Sequence, residues 1–153
     1  MARTRENTPD PPARAPEERS VELAGGRTLA VRVWPGSGTP VVLLHGLLDT
    51  SVGWDELART LGEPCYAFDL PGFGGSSLPA RPRLSAYADD LAAALDRLGV
   101  REFVLVGHSL GGAIATALAE RAPGRVRALV LLAPAGFGRI GMAEAVSVPG
   151  LRN

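Results

Sequence analysis

The pentapeptide Gly107-His108-Ser109-Leu110-Gly111 sets the chemistry that this chain could do. It follows the apolar run Phe103-Val104-Leu105-Val106 and opens a helix-like stretch over residues 110–122. A serine on a sharp strand-to-helix turn, with glycine two residues to either side, reads as a nucleophile elbow. Side chains at 107 and 111 would collide with neighbouring backbone, and glycine has no Cβ to collide. The helix N-terminus beneath Ser109 favours negative charge developing there. The bland alternative is a glycine-tightened crossover with an idle serine. A phosphate cradle is a poorer fit, because the run lacks the lysine of a P-loop and the spacing of a dinucleotide fingerprint.

A second segment, His45-Gly46-Leu47-Leu48, follows the apolar run Val41-Val42-Leu43-Leu44. Acyl transfer builds negative charge on a carbonyl oxygen, and backbone N–H donors aimed at that oxygen are its main stabilisers. The amide of Leu110, just after the serine, is the first expected donor, and the amide of Leu47 the second. His45 is expected to hydrogen-bond loop backbone and to shape this hole without titrating in catalysis.

These groups need a scaffold. Residues 20–23 and 28–34 read as two strands of a hairpin joined at Gly25-Gly26. Residues 41–44 are a continuous apolar run, the pattern of a strand buried on both faces, and residues 65–68, 103–106 and 126–132 read as further strands of the core, that at 126–132 keeping an uncovered apolar edge if the chain is a fragment. Trp54, Leu57, Ala58 and Leu61 recur at helical spacing, and so do Tyr87, Ala88, Leu91, Ala94, Leu95 and Leu98. Ser85 is the expected N-cap of the second of these helices, with Gly62 and Gly99 as stops. Strands alternating with helices imply an α/β layer fold with a hairpin followed by a mostly parallel sheet. Ligands in such sheets bind beyond the carboxyl ends of the strands. His45-Gly46, Asp69, Ser109 and Ala133-Pro134 mark four of those ends.

Composition narrows the function. The chain has 153 residues and a formal net charge of +0, so no long-range field draws it to nucleic acid or an anionic membrane. All of its 16 basic residues are arginine. Cys65 is the single cysteine, which leaves no internal disulfide and no thiol metal cluster, and a buried inert thiol is expected. Residues 1–18 are rich in Pro, Arg and Glu and are expected as a disordered tail, without the apolar core of a secretory signal. No apolar run approaches the ~20 residues of a membrane span, and a cytoplasmic protein is expected.

The segments Val42-Leu43-Leu44-His45-Gly46-Leu47, then Trp54, then Asp69-Leu70-Pro71-Gly72-Phe73-Gly74-Gly75-Ser76, then Gly107-His108-Ser109-Leu110-Gly111-Gly112, occur in an order that resembles the α/β-hydrolase superfamily. The likeness is to its serine esterases, C–C hydrolases and cofactor-free haloperoxidases, and it covers residues 20–136. It implies Ser109 as nucleophile, the amides of Leu47 and Leu110 as oxyanion hole, and Trp54 and Phe73 as walls of an acyl pocket, with ordinary core packing equally open for both aromatics. Asp69 resembles a turn aspartate that organises its loop. The implied reaction is hydrolysis of an ester, thioester, amide or C–C bond in a small-molecule acyl substrate through an acyl-enzyme. No metal or organic cofactor is implied. Chemistry that uses a carboxylate nucleophile at the elbow is not expected, since Ser109 stands there.

The sequence departs from the superfamily pattern after the elbow. The triad order is Ser, then Asp or Glu, then His. Beyond Ser109 the only carboxylates are Glu120 and Glu144, and no histidine follows. His108 adjoins the serine and His45 belongs to the oxyanion segment, so neither is placed to take its proton. Glu120 reads as a solvated helix residue, and the segment of Glu144 follows no strand. Residues 19–136 are therefore expected as the N-terminal part of a hydrolase domain, with 137–153 as the start of a cap or a truncated tail. The alternative is a catalytically inactive pseudo-hydrolase or binding module.

Overall fold

A computed structural model describes residues 15–136. Its strands are β1 (Glu17–Glu22), β2 (Thr28–Trp34), β3 (Val41–Leu44), β4 (Cys65–Phe68), β5 (Phe103–His108) and β6 (Val126–Leu132). The helices are α1 (Asp55–Leu61), α2 (Leu84–Arg97) and α3 (Leu110–Arg121). The strands form one sheet in the order β1-β2-β4-β3-β5-β6. β1 with β2 and β2 with β4 are antiparallel, while β4, β3, β5 and β6 run parallel.

Strand alternation divides the core into two layers. Val42, Leu44, Phe68, Phe103 and Leu105 face α2 and α3, where Leu91, Leu95, Ile114 and Leu118 complete the larger cluster. Val41, Leu43, Cys65, Ala67 and Val106 face the other way and pack with Trp34, Trp54 and Ala58. Both faces of β3 and β4 are thus covered, which is why these strands read as uninterrupted apolar runs.

Several expectations are corrected in detail. β1 opens at Glu17, earlier than the expected residue 20 and inside the stretch assigned to the tail. Its polar start is held by pairing with β2 and by ion pairs of Arg19 with Glu17 and Arg32 with Glu18, which composition does not show. Residues 1–14 lie outside the described chain. Trp54 sits in a 3-10 turn, Ser51–Trp54, ahead of α1, and Leu57 and Leu61 on α1 are exposed. α2 begins at Leu84 after Arg83, so Ser85 lies inside the helix and does not cap it. Leu84, the first helical residue, packs against the core. The helix closes as expected at Gly99, with Gly99 N–H bonded to Asp96 and Val100 N–H to Leu95.

The strand expected at residues 126–132 is present as β6; it reads as a buried strand that a fragment would leave with an uncovered apolar edge, and Leu129, Val130 and Leu132 are exposed along it. Among the described residues β6 stands last in the sheet order and pairs with β5, while Leu131 packs against the α2–α3 side of the core.

Candidate active site

The carboxyl ends of β3, β4, β5 and β6 share one rim, because these four strands are parallel neighbours. Ser109 stands between the end of β5 and the start of α3, at φ 50 and ψ −115. Those dihedrals belong to the first central position of a type II′ turn, which normally takes glycine. Holding a serine there costs about 1–3 kcal/mol and requires support from the surroundings. The support is on all sides. Ser109 N–H donates to the Leu132 carbonyl at 3.0 Å, and the Ser109 carbonyl accepts from Gly112, Ala113 and Ala135 at 2.9, 3.2 and 2.9 Å. The side chain makes no cap bond to α3, so the hydroxyl is uncommitted.

Close approach explains the glycines. A Cβ at Gly111 would fall on the carbonyl groups of Leu44 and His45, so only glycine lets α3 start against the end of β3. A Cβ at Gly46 would lie 2.9 Å from His108 Nδ1 and 3.2 Å from Ser109 Cβ. The segment after β3 and the turn at Ser109 are therefore in van der Waals contact. Leu110 is the first residue of α3, and its N–H lacks an intrahelical acceptor. The amides of Leu47 and Leu110 donate to no hydrogen bond among the described residues.

His45 is fully buried between backbone groups. Leu70 N–H donates to its Nε2 at 2.9 Å, which makes Nε2 the acceptor and puts the ring proton on Nδ1. Nδ1 lies 2.7 Å from the Gly46 carbonyl and donates to it. Burial holds the imidazole below its ordinary pKa, against opposing contributions from the Gly46 carbonyl, Asp49 and Asp69. Both nitrogens are occupied, so His45 joins β3 to the loop after β4 and has no lone pair for Ser109. His108 is exposed at the end of β5.

Asp69 is buried, and its carboxylate accepts Ser51 N–H at 2.7 Å and Gly75 N–H at 2.9 Å. It organises its loop, in keeping with a turn aspartate. Phe73 is half-buried and meets the His45 ring edge-on at 5.5 Å. Trp54 is buried with Trp34, Leu43 and Val106 on the α1 face of the sheet, where its surroundings are those of core packing. Glu120 is exposed on α3, and Glu144 lies outside the described residues. Among the described residues no group of three or more His, Cys, Asp or Glu could hold a metal ion, and no helix is long and apolar enough to cross a membrane. A cavity of about 220 Å3 between Arg19, Arg32, Ser51 and Asp69 does not include Ser109.

Two features of the rim have no signal in the sequence. Among the described residues, Leu48 and Ala133 join Ser109 as the non-glycine residues of positive φ, at 61, 42 and 50. They follow β3, β6 and β5 respectively, so backbone strain gathers on one rim. The Ala133-Pro134-Ala135 turn also buttresses the elbow, through the Ala135 N–H and through Pro134, whose Cβ lies 2.7 Å from where a Gly112 Cβ would be.

Comparison with known proteins agrees with this geometry. Residues 39–148 match the profile of the alpha/beta hydrolase fold. The chain is 43% identical over 105 residues to Lipase LipV of Mycobacterium tuberculosis, covering 68% of this chain and 40% of that protein. It is 37% identical over 121 residues to the human (Lyso)-N-acylphosphatidylethanolamine lipase, covering 72% and 34% respectively. A crystal structure of an alpha/beta hydrolase from Novosphingobium aromaticivorans superposes with a TM-score of 0.70 at 31% identity, over 77% of this chain and 44% of that one. The chain thus spans less than half the length of these relatives. With the profile covering more than half of its length and the glycine-framed elbow on the expected rim, this chain belongs to the alpha/beta hydrolase fold family.

Proposed function

We propose that this chain carries the nucleophile and oxyanion half of a serine acyl hydrolase. One observation supports the reading above the others: a non-glycine residue is held at φ 50 with its hydroxyl uncommitted, in contact with a glycine loop whose next amide has no acceptor. A strained serine at that point gains the fold nothing, whereas it suits attack on a carbonyl. Ser109 Oγ adds to the carbonyl carbon and its proton passes to a base. The amides of Leu47 and Leu110 stabilise the oxyanion, and loss of one such donor typically costs about 2.7–4 kcal/mol. Collapse expels the leaving group and leaves an acyl-enzyme, which water cleaves. Phe73 borders the acyl group, and Trp54 supports the rim from the core. The relatives described as lipases favour an ester of an apolar acyl chain as substrate.

The base is an imidazole that these 153 residues do not bring to Ser109. His45 is committed at both nitrogens, and His108 is the only other histidine. That observation favours a second reading, a non-catalytic hydrolase-like module. A fluorophosphonate probe separates the two. The first reading predicts labelling at Ser109, located by peptide mass mapping, faster in the folded chain than in urea and absent from Ser109→Ala. Equal labelling of folded and unfolded chain would favour the second.

A further inference from the structure

A trans peptide unit points its carbonyl and its N–H in opposite directions, and no described peptide bond is cis. A group that grips the carbonyl therefore also aims the N–H. The Leu110 N–H shares its unit with the Ser109 carbonyl, and the Leu47 N–H shares its unit with the Gly46 carbonyl. Both carbonyls are gripped. Gly112 and Ala113 donate to the Ser109 carbonyl at 2.9 and 3.2 Å, as expected where a helix begins. A further donor, Ala135 N–H at 2.9 Å, comes from the turn after β6 and owes nothing to the helix. Ala133 in that turn is held at φ 42, which alanine avoids, so the surroundings impose its course. Pro134 sits so close to α3 that a Cβ at Gly112 would come within 2.7 Å of its own Cβ. On the β3 side, His45 Nδ1 donates to the Gly46 carbonyl at 2.7 Å. Leu70 N–H, donating to Nε2 at 2.9 Å, fixes the tautomer that makes Nδ1 the donor.

Gly46 and Ser109 are in contact, so the two units are neighbours although different strands deliver them. A donor on a carbonyl also polarises the N–H of its unit, since linked hydrogen bonds strengthen one another. We propose that His45 and Ala135 are paired positioning residues, which turn and polarise the Leu47 and Leu110 N–H groups from their carbonyl ends. Neither residue touches the substrate; each acts through a peptide unit that does. The inference rests on Ser109 as nucleophile for its role in the reaction, but its first measurement does not use that reading.

That measurement is the amide proton shift of Leu47 and Leu110 in the isotope-labelled full chain. Ala135→Pro has no N–H to donate, so it should move Leu110 upfield and leave Leu47 in place. His45→Gln sets its amide near the Nε2 position, beside Leu70, and drops the donor to Gly46. It should move Leu47 upfield and leave Leu110 in place. His45→Asn sets an amide NH2 near the Nδ1 position and should return Leu47 towards its wild-type shift. The limiting rate of fluorophosphonate labelling at Ser109 should follow the shifts. It should fall roughly tenfold to a hundredfold in Ala135→Pro and His45→Gln, at an unchanged half-saturating probe concentration, with most of the loss recovered in His45→Asn. Gly112→Ala pushes Pro134 away while favouring the helix, and should act as Ala135→Pro does, so misfolding of one variant does not decide the result. A merely structural role would lower stability in both His45 variants and separate neither shifts nor rates. The proposal is overturned if Leu110 keeps its shift in both Ala135→Pro and Gly112→Ala, or if His45→Gln and His45→Asn behave alike. Shifts that respond as expected in a wild-type chain that takes no label would uphold the positioning and overturn Ser109 as nucleophile.

Discussion

The backbone at Ser109 allows a test that isolates strain from chemistry. Its φ of 50 and ψ of −115 are a glycine conformation, costing about 1–3 kcal/mol with any Cβ present. Ser109→Gly removes that cost and adds roughly 0.5–1 kcal/mol from the greater freedom of glycine in the unfolded chain. Ser109→Ala removes the same hydroxyl but keeps the Cβ and the strain. The hydroxyl makes no hydrogen bond among the described residues, so its deletion is common to both variants and cancels. The glycine variant should therefore exceed the alanine variant by about 1 kcal/mol, or roughly 3–6 °C in Tm for a domain of this size. Urea unfolding followed through the buried Trp34 and Trp54 measures the difference. A glycine variant no more stable than the alanine variant would refute the argument that the turn stores strain at Ser109.

Two further outcomes follow from the same geometry. Gly111→Ala would drive a Cβ into the Leu44 and His45 carbonyls, and backbone at the end of a central strand does not yield as a side chain would; about 3 kcal/mol or more should be lost in urea unfolding, and a loss below ~1 kcal/mol would show that β3 and α3 can separate. Burial lowers the pKa of His45, so the unfolded chain binds its proton more readily than the native one; this contribution to stability is complete above pH ~6.5 and is lost as pH falls from there towards the native pKa. Unfolding free energies between pH 7.5 and 5 should thus fall more steeply for wild type than for His45→Asn, and parallel profiles would count against a buried neutral imidazole.

Much of the scaffold is apparent in the amino-acid order. β3 and β4 are short apolar runs between turn residues, and burial on both faces leaves that mark whatever their neighbours are. The elbow is equally plain, because only glycine fits against the β3 carbonyls and its spacing around Ser109 cannot vary. The role of His45 was inferred from its position after β3, and its two hydrogen bonds agree with that inference. The start of β1 was less apparent, since cross-strand pairs and ion pairs hold it and it has no apolar pattern. The strand at β6 is itself apparent, and the exposure of Leu129, Val130 and Leu132 agrees with the uncovered apolar edge expected of a partial domain.

What the sequence by itself determined is the set of local, sterically forced features: the glycine-framed serine, the strand–helix alternation, and the shortage of histidine. These depend on the nearest few residues and on composition, so no distant contact can alter them. Tertiary structure decided which groups meet. It brought Gly46 against Ser109, tied both nitrogens of His45 to backbone, and linked the turn after β6 to the carbonyl of Ser109. It also put Leu48 and Ala133 into positive φ, which no propensity of leucine or alanine foretells. Those outcomes arise because parallel strands distant in sequence end on one rim, and proximity there is set by sheet order and not by chain order.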